Sequence, residues 1–236
     1  MDDSCATKPL ALLIPGLDGT GRLFCRQMAA LQDRYRVRAW EFLRRSRFGL
    51  ADLVEELAEG TCHEGPGSVV VVGESFGGAV AISYALAFPE RVRSLALINA
   101  FPVYRRRLRI SAACLLLPAL QWPGLRRLKD LIADRILASE GVTAECRRAY
   151  YEVIRSIDME AYRQRLEIVS RVDLVERLPE IKVPTLLLAS GRDKLVPSAE
   201  EARFMAARIP NSKLYEFPRA GHALLLTPGF RLADYI

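Results

Sequence analysis

Apolar residues follow two alternating patterns along this chain. Short runs of consecutive apolar residues predict β-strands covered on both faces, because such strands read as nearly continuous hydrophobic sequence. Six runs have this form: LALLIPG (residues 10–16), RVRAWEF (36–42), SVVVVG (68–73), SLALINA (94–100), VPTLLLASG (183–191) and SKLYEF (212–217). Stretches with helical spacing of apolar residues lie between them, at 22–32, 50–59 and 79–88. This alternation predicts an α/β protein with a mostly parallel sheet of about six strands, flanked by helices.

The alternation breaks between residues 100 and 184. This long stretch is helical in pattern, rich in arginine and without a predicted strand, which indicates an insertion between two strands of the sheet. We therefore predict an α/β core formed by residues 1–100 and 180–236, and a helical cap formed by residues 101–179. Caps of this kind cover a crevice and decide which substrates fit.

Composition limits the remaining possibilities. The chain has 236 residues, 50% of them hydrophobic, and is long enough for one globular domain with a large core. The N-terminal residues MDDSCATK lack the apolar run of a secretory signal, so we expect a cytosolic protein. The five cysteines are scattered without a C-x-x-C pair, which disfavours both a disulfide framework and a thiolate metal site. We expect reduced, mostly buried thiols, and neither a metal nor a cofactor.

The net charge of +6 is spread along the chain, with one dense basic cluster, YRRRLR, at residues 104–109. A solvated basic surface is the simplest interpretation, and contact with an anionic lipid surface or an acidic substrate is the alternative. The apolar segment at 110–124, ISAACLLLPALQWPG, is too short to span a bilayer, and it either packs inside the cap or guides lipid-like substrates. No zinc-finger or helix-turn-helix pattern accompanies the charge, so nucleic acid is not an expected partner.

A candidate nucleophile lies where the third strand meets the third helix. The sequence there is GESFG, residues 73–77. G-x-S-x-G at such a junction is the pattern of a nucleophile elbow, a tight turn that exposes the serine Oγ above the edge of the sheet. Small residues at 73 and 77 let neighbouring backbone approach closely, and the helix N-terminus favours negative charge on the oxygen. Ser75 is therefore the predicted nucleophile.

A serine needs a base to become a good nucleophile. The chain contains two histidines, His63 and His222. His63 precedes the strand that leads to Ser75, on the opposite side of the sheet, and we interpret it as a solvated loop residue. His222 follows the last strand, at the edge of the sheet where Ser75 is exposed, and is the predicted base.

A carboxylate must orient the base and stabilise its protonated form. Asp193 directly follows the fifth strand and completes the chain order serine, aspartate, histidine that is typical of a nucleophile elbow enzyme. Asp173 and Glu176, which fall in the predicted last helix of the insertion, are the alternatives. Glu74 lies next to the nucleophile but is expected to point away from it, in a structural role.

The remaining requirement is a pair of donors for the oxyanion of a tetrahedral intermediate. The backbone N–H of Phe76 is one candidate, and that of Leu17, in the glycine-rich loop after the first strand, is the other. Glycine-rich loops also bind phosphates, and residues 16–23 approach the G-x-x-x-x-G-K-[ST] pattern. The lysine and hydroxyl residue of that pattern are missing, and Phe24 stands where a dinucleotide motif needs glycine. A nucleotide cofactor is therefore not expected.

Four blocks of the sequence, PGLDGTGRLF, GESFGGAVAI, LLLASGRDKLVPSAEEA and GHALLLTPG, resemble the α/β-hydrolase superfamily. They are most similar to the hydrolase part of plastid phytyl ester synthase and diacylglycerol acyltransferase proteins and to related bacterial hydrolases. The resemblance implies the α/β-hydrolase fold and activity on acyl esters, with acyl transfer to an alcohol as a further option. It covers the insertion poorly, and the H-x-x-x-x-D segment of the longer relatives does not occur in this chain.

Three functions stay open at this point. A cofactor-independent serine esterase would act on small-molecule esters, long-chain acyl esters among them, through an acyl-enzyme. An acyltransferase would use the same acyl-enzyme but exclude water, so that an alcohol attacks instead. A binding protein would keep the fold without the chemistry. The candidate residues favour the esterase.

Overall fold

The computed structural model describes residues 8–42, 47–106 and 142–236, together with the isolated positions 110, 112, 130, 131 and 134. Its central sheet has six strands, paired in parallel in the order β2-β1-β3-β4-β5-β6. The strands are β1 (Leu10–Ile14), β2 (Arg36–Ala39), β3 (Val69–Glu74), β4 (Val92–Ile98), β5 (Thr185–Ser190) and β6 (Ser212–Phe217). The prediction of an α/β protein with a parallel sheet of about six strands is confirmed.

The continuous hydrophobicity of the central strands reflects burial on both faces of the sheet. Every residue of β1 and β3 is buried. Because successive side chains of a strand point in opposite directions, Leu12 and Ile14 join the core on one face, and Ala11 and Leu13 join the core on the other. The helices that cover the two faces are α1 (Cys25–Leu31), α2 (Leu50–Gly60), α3 (Phe76–Ala87) and α6 (Ser198–Ala206).

The order of the strands reverses beside β1. The chain passes from β1 to β2 on one side and then returns to form β3 on the other. The loops after two such neighbouring strands diverge and leave a crevice at the carboxyl edge of the sheet. Leu17 follows β1, Ser75 follows β3, and Asp193 and His222 follow β5 and β6. All four therefore lie at the same edge.

Two helices follow the last undescribed stretch before β5. They are α4 (Ala144–Ser156) and α5 (Met159–Arg171), and a 3-10 turn at Val175–Glu180 continues the chain toward β5. The Thr143 hydroxyl accepts a hydrogen bond from the N–H of Cys146, and an Asp158 oxygen accepts one from Ala161, so each helix begins at a side-chain cap. Such caps each contribute about 1 kcal/mol to helix stability.

The helices of the insertion pack beside the loop that follows β1. The buried residues of α4 are Cys146, Tyr150 and Val153, at helical spacing, and this helix contacts the 3-10 turn at Arg22–Phe24. The buried face of α5 differs because it includes two polar residues. These are Gln164 and Arg165, and both are almost completely buried.

The boundaries of some elements differ from the sequence predictions. α3 begins at Phe76 rather than at residue 79, because the elbow turns the strand directly into the helix. β2 ends at Ala39 rather than at residue 42. Its extension leaves the sheet but still bonds to backbone around β1: Trp40 N–H donates to Leu13 O (2.8 Å) and Phe42 N–H to Gly19 O (2.8 Å).

Other predictions concern individual residues outside the sheet. Asp173 lies after α5 and forms an isolated antiparallel bridge with Val103, so it is not part of the insertion's last helix. Of the three cysteines within the described ranges, Cys25 and Cys62 are exposed and Cys146 is buried, and all three are free. The expectation of mostly buried thiols is therefore wrong for this part of the chain.

Two predictions about membranes fall mostly outside the described residues. Arg105 and Arg106 of the basic cluster are exposed, but residues 107–109 and nearly all of 110–124 are not described. Within the ranges that the structure covers, none of the helices has the length and hydrophobicity needed to cross a membrane.

Candidate active site

Ser75 occupies a strained turn between β3 and α3. Its backbone angles are φ 53° and ψ −118°, a conformation that costs about 1–3 kcal/mol in a residue with a side chain. The turn is held because Ser75 N–H donates to Ile98 O (2.8 Å) and Ser75 O accepts from Gly78 N–H (2.9 Å). A Cβ at Gly77 would collide with the carbonyl oxygens of Ile14 and Pro15. A residue without a side chain is therefore required there.

His222 lies directly against this serine. Its Nε2 is 3.0 Å from Ser75 Oγ, and both residues are buried, with exposed fractions of 6% and 4%. The carbonyl of His222 accepts from Leu224 N–H at 2.9 Å and from Asn99 Nδ2 at 2.6 Å. The backbone that carries the ring is thus fixed from two directions.

Asp193 lies on the other side of the imidazole. Its Oδ2 is 2.6 Å from His222 Nδ1. The second oxygen accepts backbone N–H bonds from Leu195 (2.9 Å) and Val196 (3.0 Å), and the Ser198 hydroxyl donates to Oδ2. With these donors fixing both oxygens, the carboxylate has a single orientation toward the ring.

The two groups shift each other's pKa. Burial alone would raise the pKa of Asp193, but the adjacent His222 and the donors from Ser198 and Val196 outweigh it, so the pKa lies below its usual range. Burial alone would lower the pKa of His222, whereas Asp193 and also Glu74 raise it, so the pKa lies above the ordinary 6.5. The protonated imidazole is therefore favoured at this position.

The alternative acids lie elsewhere. Asp173 is exposed, and its carboxylate accepts from Val175 N–H (3.1 Å). Glu176 is also exposed and lies beside the same pocket as Asp173. Of the three candidate carboxylates, the structure places Asp193 against His222. His63 is exposed in the turn after α2.

The loop after β1 carries the predicted second donor, the backbone N–H of Leu17. Gly16 O accepts from Gly19 N–H (3.1 Å), and since no peptide bond among the described residues is cis, the Leu17 N–H points away from that carbonyl. No hydrogen bond joins the Leu17 N–H to another described residue. Phe76 is the first residue of α3, where N–H groups have no acceptor within the helix.

Glu74 is buried beside the same loop. A Cβ at Gly16 would lie 2.5 Å from Glu74 Oε2, so the carboxyl group packs against this glycine. Burial is the main reason that the pKa of Glu74 rises to about 7; Asp18 and Asp193 raise it further and His222 opposes them. Glu74, for which a structural role is expected, thus lies against the β1 loop, and the pKa of its buried carboxyl group is near neutral.

Sequence reasoning missed Asn99. This residue is 1% exposed and has φ 49°, immediately after β4. Its amide donates to His222 O and to Ser190 Oγ (2.9 Å), and its carbonyl accepts from Ser190 N–H (2.8 Å). Asn99 therefore joins the ends of β4 and β5 to the histidine loop. Its position directly after a buried strand is visible in the sequence, but that position does not indicate the partners of the side chain.

The described residues include no group of three or more histidine, cysteine, aspartate or glutamate side chains arranged to hold a metal ion. The side chains that meet at this edge of the sheet are instead a hydroxyl, an imidazole and a carboxylate in series. That series can transfer a proton from the hydroxyl to the ring while the carboxylate balances the new charge.

Comparison with known proteins identifies relatives. A model of an alpha/beta hydrolase family matches residues 11–235. RutD of Klebsiella pneumoniae, named as a proposed carbamate hydrolase, is 28% identical over 245 residues, which cover 93% of this chain and 86% of that protein. Pimeloyl-[acyl-carrier protein] methyl ester esterase of Nitrosomonas europaea is 28% identical over 190 residues, covering 77% of this chain and 75% of that protein.

A solved structure supports the fold. The thermophilic esterase from Thermogutta terrifontis superimposes with a TM-score of 0.82 at 21% identity, over 97% of this chain and 88% of that one. The predicted α/β-hydrolase fold is confirmed by this likeness and by the family match.

Proposed function

The chain belongs to the alpha/beta hydrolase family, and we propose that it is a serine hydrolase that cleaves carboxylic esters through Ser75, His222 and Asp193. The observation that carries this proposal is the continuous series of contacts from hydroxyl to imidazole to carboxylate, at 3.0 and 2.6 Å. These distances are within the range that general base catalysis requires. Relatives named as an ester hydrolase and a proposed carbamate hydrolase support the same class of reaction.

The first half of the reaction forms an acyl-enzyme. Ser75 Oγ attacks the ester carbonyl carbon while its proton passes to His222 Nε2, and Asp193 stabilises the imidazolium. The carbonyl π electrons move onto oxygen, which then accepts hydrogen bonds from the N–H groups of Phe76 and Leu17. When the oxyanion collapses, the bond to the alkoxy group breaks, and His222 returns the proton to the departing alcohol.

The second half releases the acid. Water attacks the acyl-enzyme carbonyl, and His222 takes its proton as before. Collapse of the second oxyanion breaks the bond to Ser75 Oγ, which recovers its proton from the imidazolium. Every proton and electron pair is accounted for by the three side chains, the ester and water, so the proposed route calls for no cofactor.

Acyl transfer to an alcohol is a second candidate. It is favoured by the resemblance of the catalytic blocks to the phytyl ester synthase and diacylglycerol acyltransferase type, and by burial of Ser75 and His222, which restricts water. The helices of residues 101–179 are proposed to form the cap that selects the acyl group. Contact of the basic cluster with a membrane surface is a further proposal, resting on exposed Arg105 and Arg106.

A fluorophosphonate probe tests the proposed function. We expect the wild type to be labelled and the Ser75→Ala variant not to be, while Ser83→Ala, a change on the same helix α3, keeps the label. Absence of labelling in the folded wild type would contradict a serine hydrolase. A long-chain p-nitrophenyl ester supplied with increasing concentrations of an alcohol then separates the two candidates. Hydrolysis gives only free acid, whereas acyl transfer gives a new ester whose yield increases with alcohol.

A further inference from the structure

Arg165 is a buried cation on the insertion helix α5. It is 2% exposed and is the largest of the fully buried side chains in the described chain. An arginine at an internal position of an amphipathic helix is costly, because a charge loses its hydration on burial. An apolar side chain of similar volume would pack there at lower cost. The contacts of Arg165 must therefore explain why a charged side chain is buried at this position.

Both contacts of the guanidinium are backbone carbonyls of the β1 loop. Nε donates to Leu17 O at 2.8 Å, and Nη2 donates to Asp18 O at 3.2 Å. The guanidinium also lies flat against the loop, since a Cβ at Gly19 would be 2.6 Å from Nη1 and 2.7 Å from Cζ. Gly19 has φ +73°, so the loop conformation and the arginine are adapted to each other.

The guanidinium is not part of an ordinary ion pair. No carboxylate of a described residue lies within 4.0 Å of it. Burial lowers the pKa of Arg165, and Asp18, Tyr162 and Asp158 partly oppose that effect. The hydrogen bonds that the guanidinium donates go to the two loop carbonyls, and they form only while the carbonyls of Leu17 and Asp18 point toward α5.

The orientation of these carbonyls determines the direction of the Leu17 N–H, the proposed oxyanion donor. Leu17 is bounded by two peptide planes. The first has its carbonyl, Gly16 O, bound to Gly19 N–H, and the second has its carbonyl, Leu17 O, bound to Arg165. With both planes fixed, the Leu17 N–H has one direction. If the second plane rotated, the turn would relax and the N–H would lose its alignment.

We propose that Arg165 is a positioning residue, which holds the β1 loop in the geometry that lets the Leu17 N–H stabilise the oxyanion. This inference rests on the proposed function. The insertion then contributes to catalysis as well as to substrate selection. Helix α5 fixes the orientation of the Leu17 N–H, which the sheet alone does not fix. Gln164 adds a second attachment of α5 to the core, through a hydrogen bond from Phe48 N–H to its Oε1 (2.9 Å).

The test compares Arg165→Met and Arg165→Lys with Arg163→Met, a matched change of a half-exposed arginine on the same helix. We measure kcat, KM and the inhibition constant of a trifluoromethyl ketone, which forms a tetrahedral adduct with an oxyanion. Removing one oxyanion donor costs roughly 10²–10³ in kcat, so misplacing one is expected to cost about 10- to 100-fold in Arg165→Met. KM should change less than about threefold, since the donor acts mainly in the transition state.

The inhibitor distinguishes positioning from mere stability. In Arg165→Met the inhibition constant should rise in proportion to the loss of kcat/KM, and in Arg163→Met neither should change. Arg165→Lys keeps the charge without the paired geometry and should lie between. If the folded Arg165 variants keep wild-type kcat and inhibitor affinity and differ only in Tm, the inference is wrong.

Two further outcomes are informative. If Arg165→Met does not fold, the lysine variant and Gly19→Ala, which places a methyl group against the guanidinium, decide by the same readouts. Wild-type catalysis in both would overturn the inference. An active wild type labelled at Ser75 together with fully active Arg165 variants refutes the positioning role alone. An unlabelled, inactive wild type refutes the proposed function and this inference with it.

Discussion

His222 Nε2 lies 3.0 Å from Ser75 Oγ although the two residues are 147 positions apart in the chain. The contact depends on two loops at the carboxyl edge of one sheet, each fixed by its own backbone hydrogen bonds. This contact exists only in the folded chain. Substitutions of Ser75 or His222 in a folded variant therefore test the proposed proton transfer between them.

Ser75→Ala removes the proposed nucleophile. We expect kcat to fall by about 10⁴-fold or more, since the remaining residues of a triad contribute little without it. The strained backbone gives a second readout, because φ 53° is unfavourable for alanine and easily adopted by glycine. Ser75→Gly should therefore be about 1 kcal/mol more stable than Ser75→Ala in urea unfolding. Equal stability would mean that the turn stores no strain.

Asp193→Asn removes the carboxylate behind the imidazole. His222 must be neutral to accept the proton from Ser75, so kcat/KM should rise with pH through the His222 pKa, which lies above 6.5 in the wild type. Without Asp193 that pKa falls, so the midpoint of the acid limb should move to lower pH. The plateau should also fall by about 10⁴-fold, because the correct tautomer is no longer held. Profiles of kcat/KM from pH 5 to 9 measure both effects, and an unmoved midpoint would contradict the assignment.

Glu74→Gln tests the buried carboxyl under the β1 loop. Its pKa rises from 4.5 to about 7 on folding, so ionising it costs more in the folded protein than in the unfolded chain. The stability that Glu74 contributes is complete below pH 4.5 and is lost as the pH rises through about 7. Relative to wild type, the glutamine variant should therefore gain up to about 3 kcal/mol between pH 4.5 and 8.

Urea unfolding at several pH values checks the Glu74 prediction. Glu55→Gln, an exposed substitution on α2, is the matched control and should follow the wild type at every pH. A difference between Glu74→Gln and wild type that does not vary with pH would show that the carboxyl does not titrate in this interval.

Asn99→Ala tests the residue that joins two strand ends to the histidine loop. The variant loses the donor to His222 O and both bonds to Ser190, and should be destabilised by about 2–3 kcal/mol. If Asn99 also orients the ring, kcat of the folded variant should fall about tenfold while its KM stays similar. Ser190→Ala is the control, because it removes the hydroxyl partner and leaves the bond to His222 in place.

The sequence was informative where a local pattern reports a structural requirement. The runs of apolar residues predicted the strands, since burial on both faces demands them, and GESFG marked the turn between β3 and α3. His222 and Asp193 were singled out because each follows a strand, and parallel strands bring such positions to one edge. Their catalytic roles remain predictions.

Asn99 and Arg165 could not be assigned in this way. Their partners lie 91 or more residues away and, apart from the Ser190 hydroxyl, are backbone carbonyl and N–H groups. Nothing periodic distinguishes Arg165 from the other arginines of the same helix, and its burial depends on how α5 packs against the β1 loop. The element boundaries near Phe76 likewise follow from the geometry of the elbow rather than from helix propensity.

The contact of Gly77 with the carbonyls of Ile14 and Pro15 has a mechanical consequence for substrate range. Helix α3 and strand β1 approach each other backbone to backbone, so they leave no room between them for a larger substrate group. On the proposed function, a larger acyl group would have to be accommodated by the proposed cap, the helices between β4 and β5. A change of selectivity in that cap would have to preserve the hydrogen bonds from Arg165 to the β1 loop.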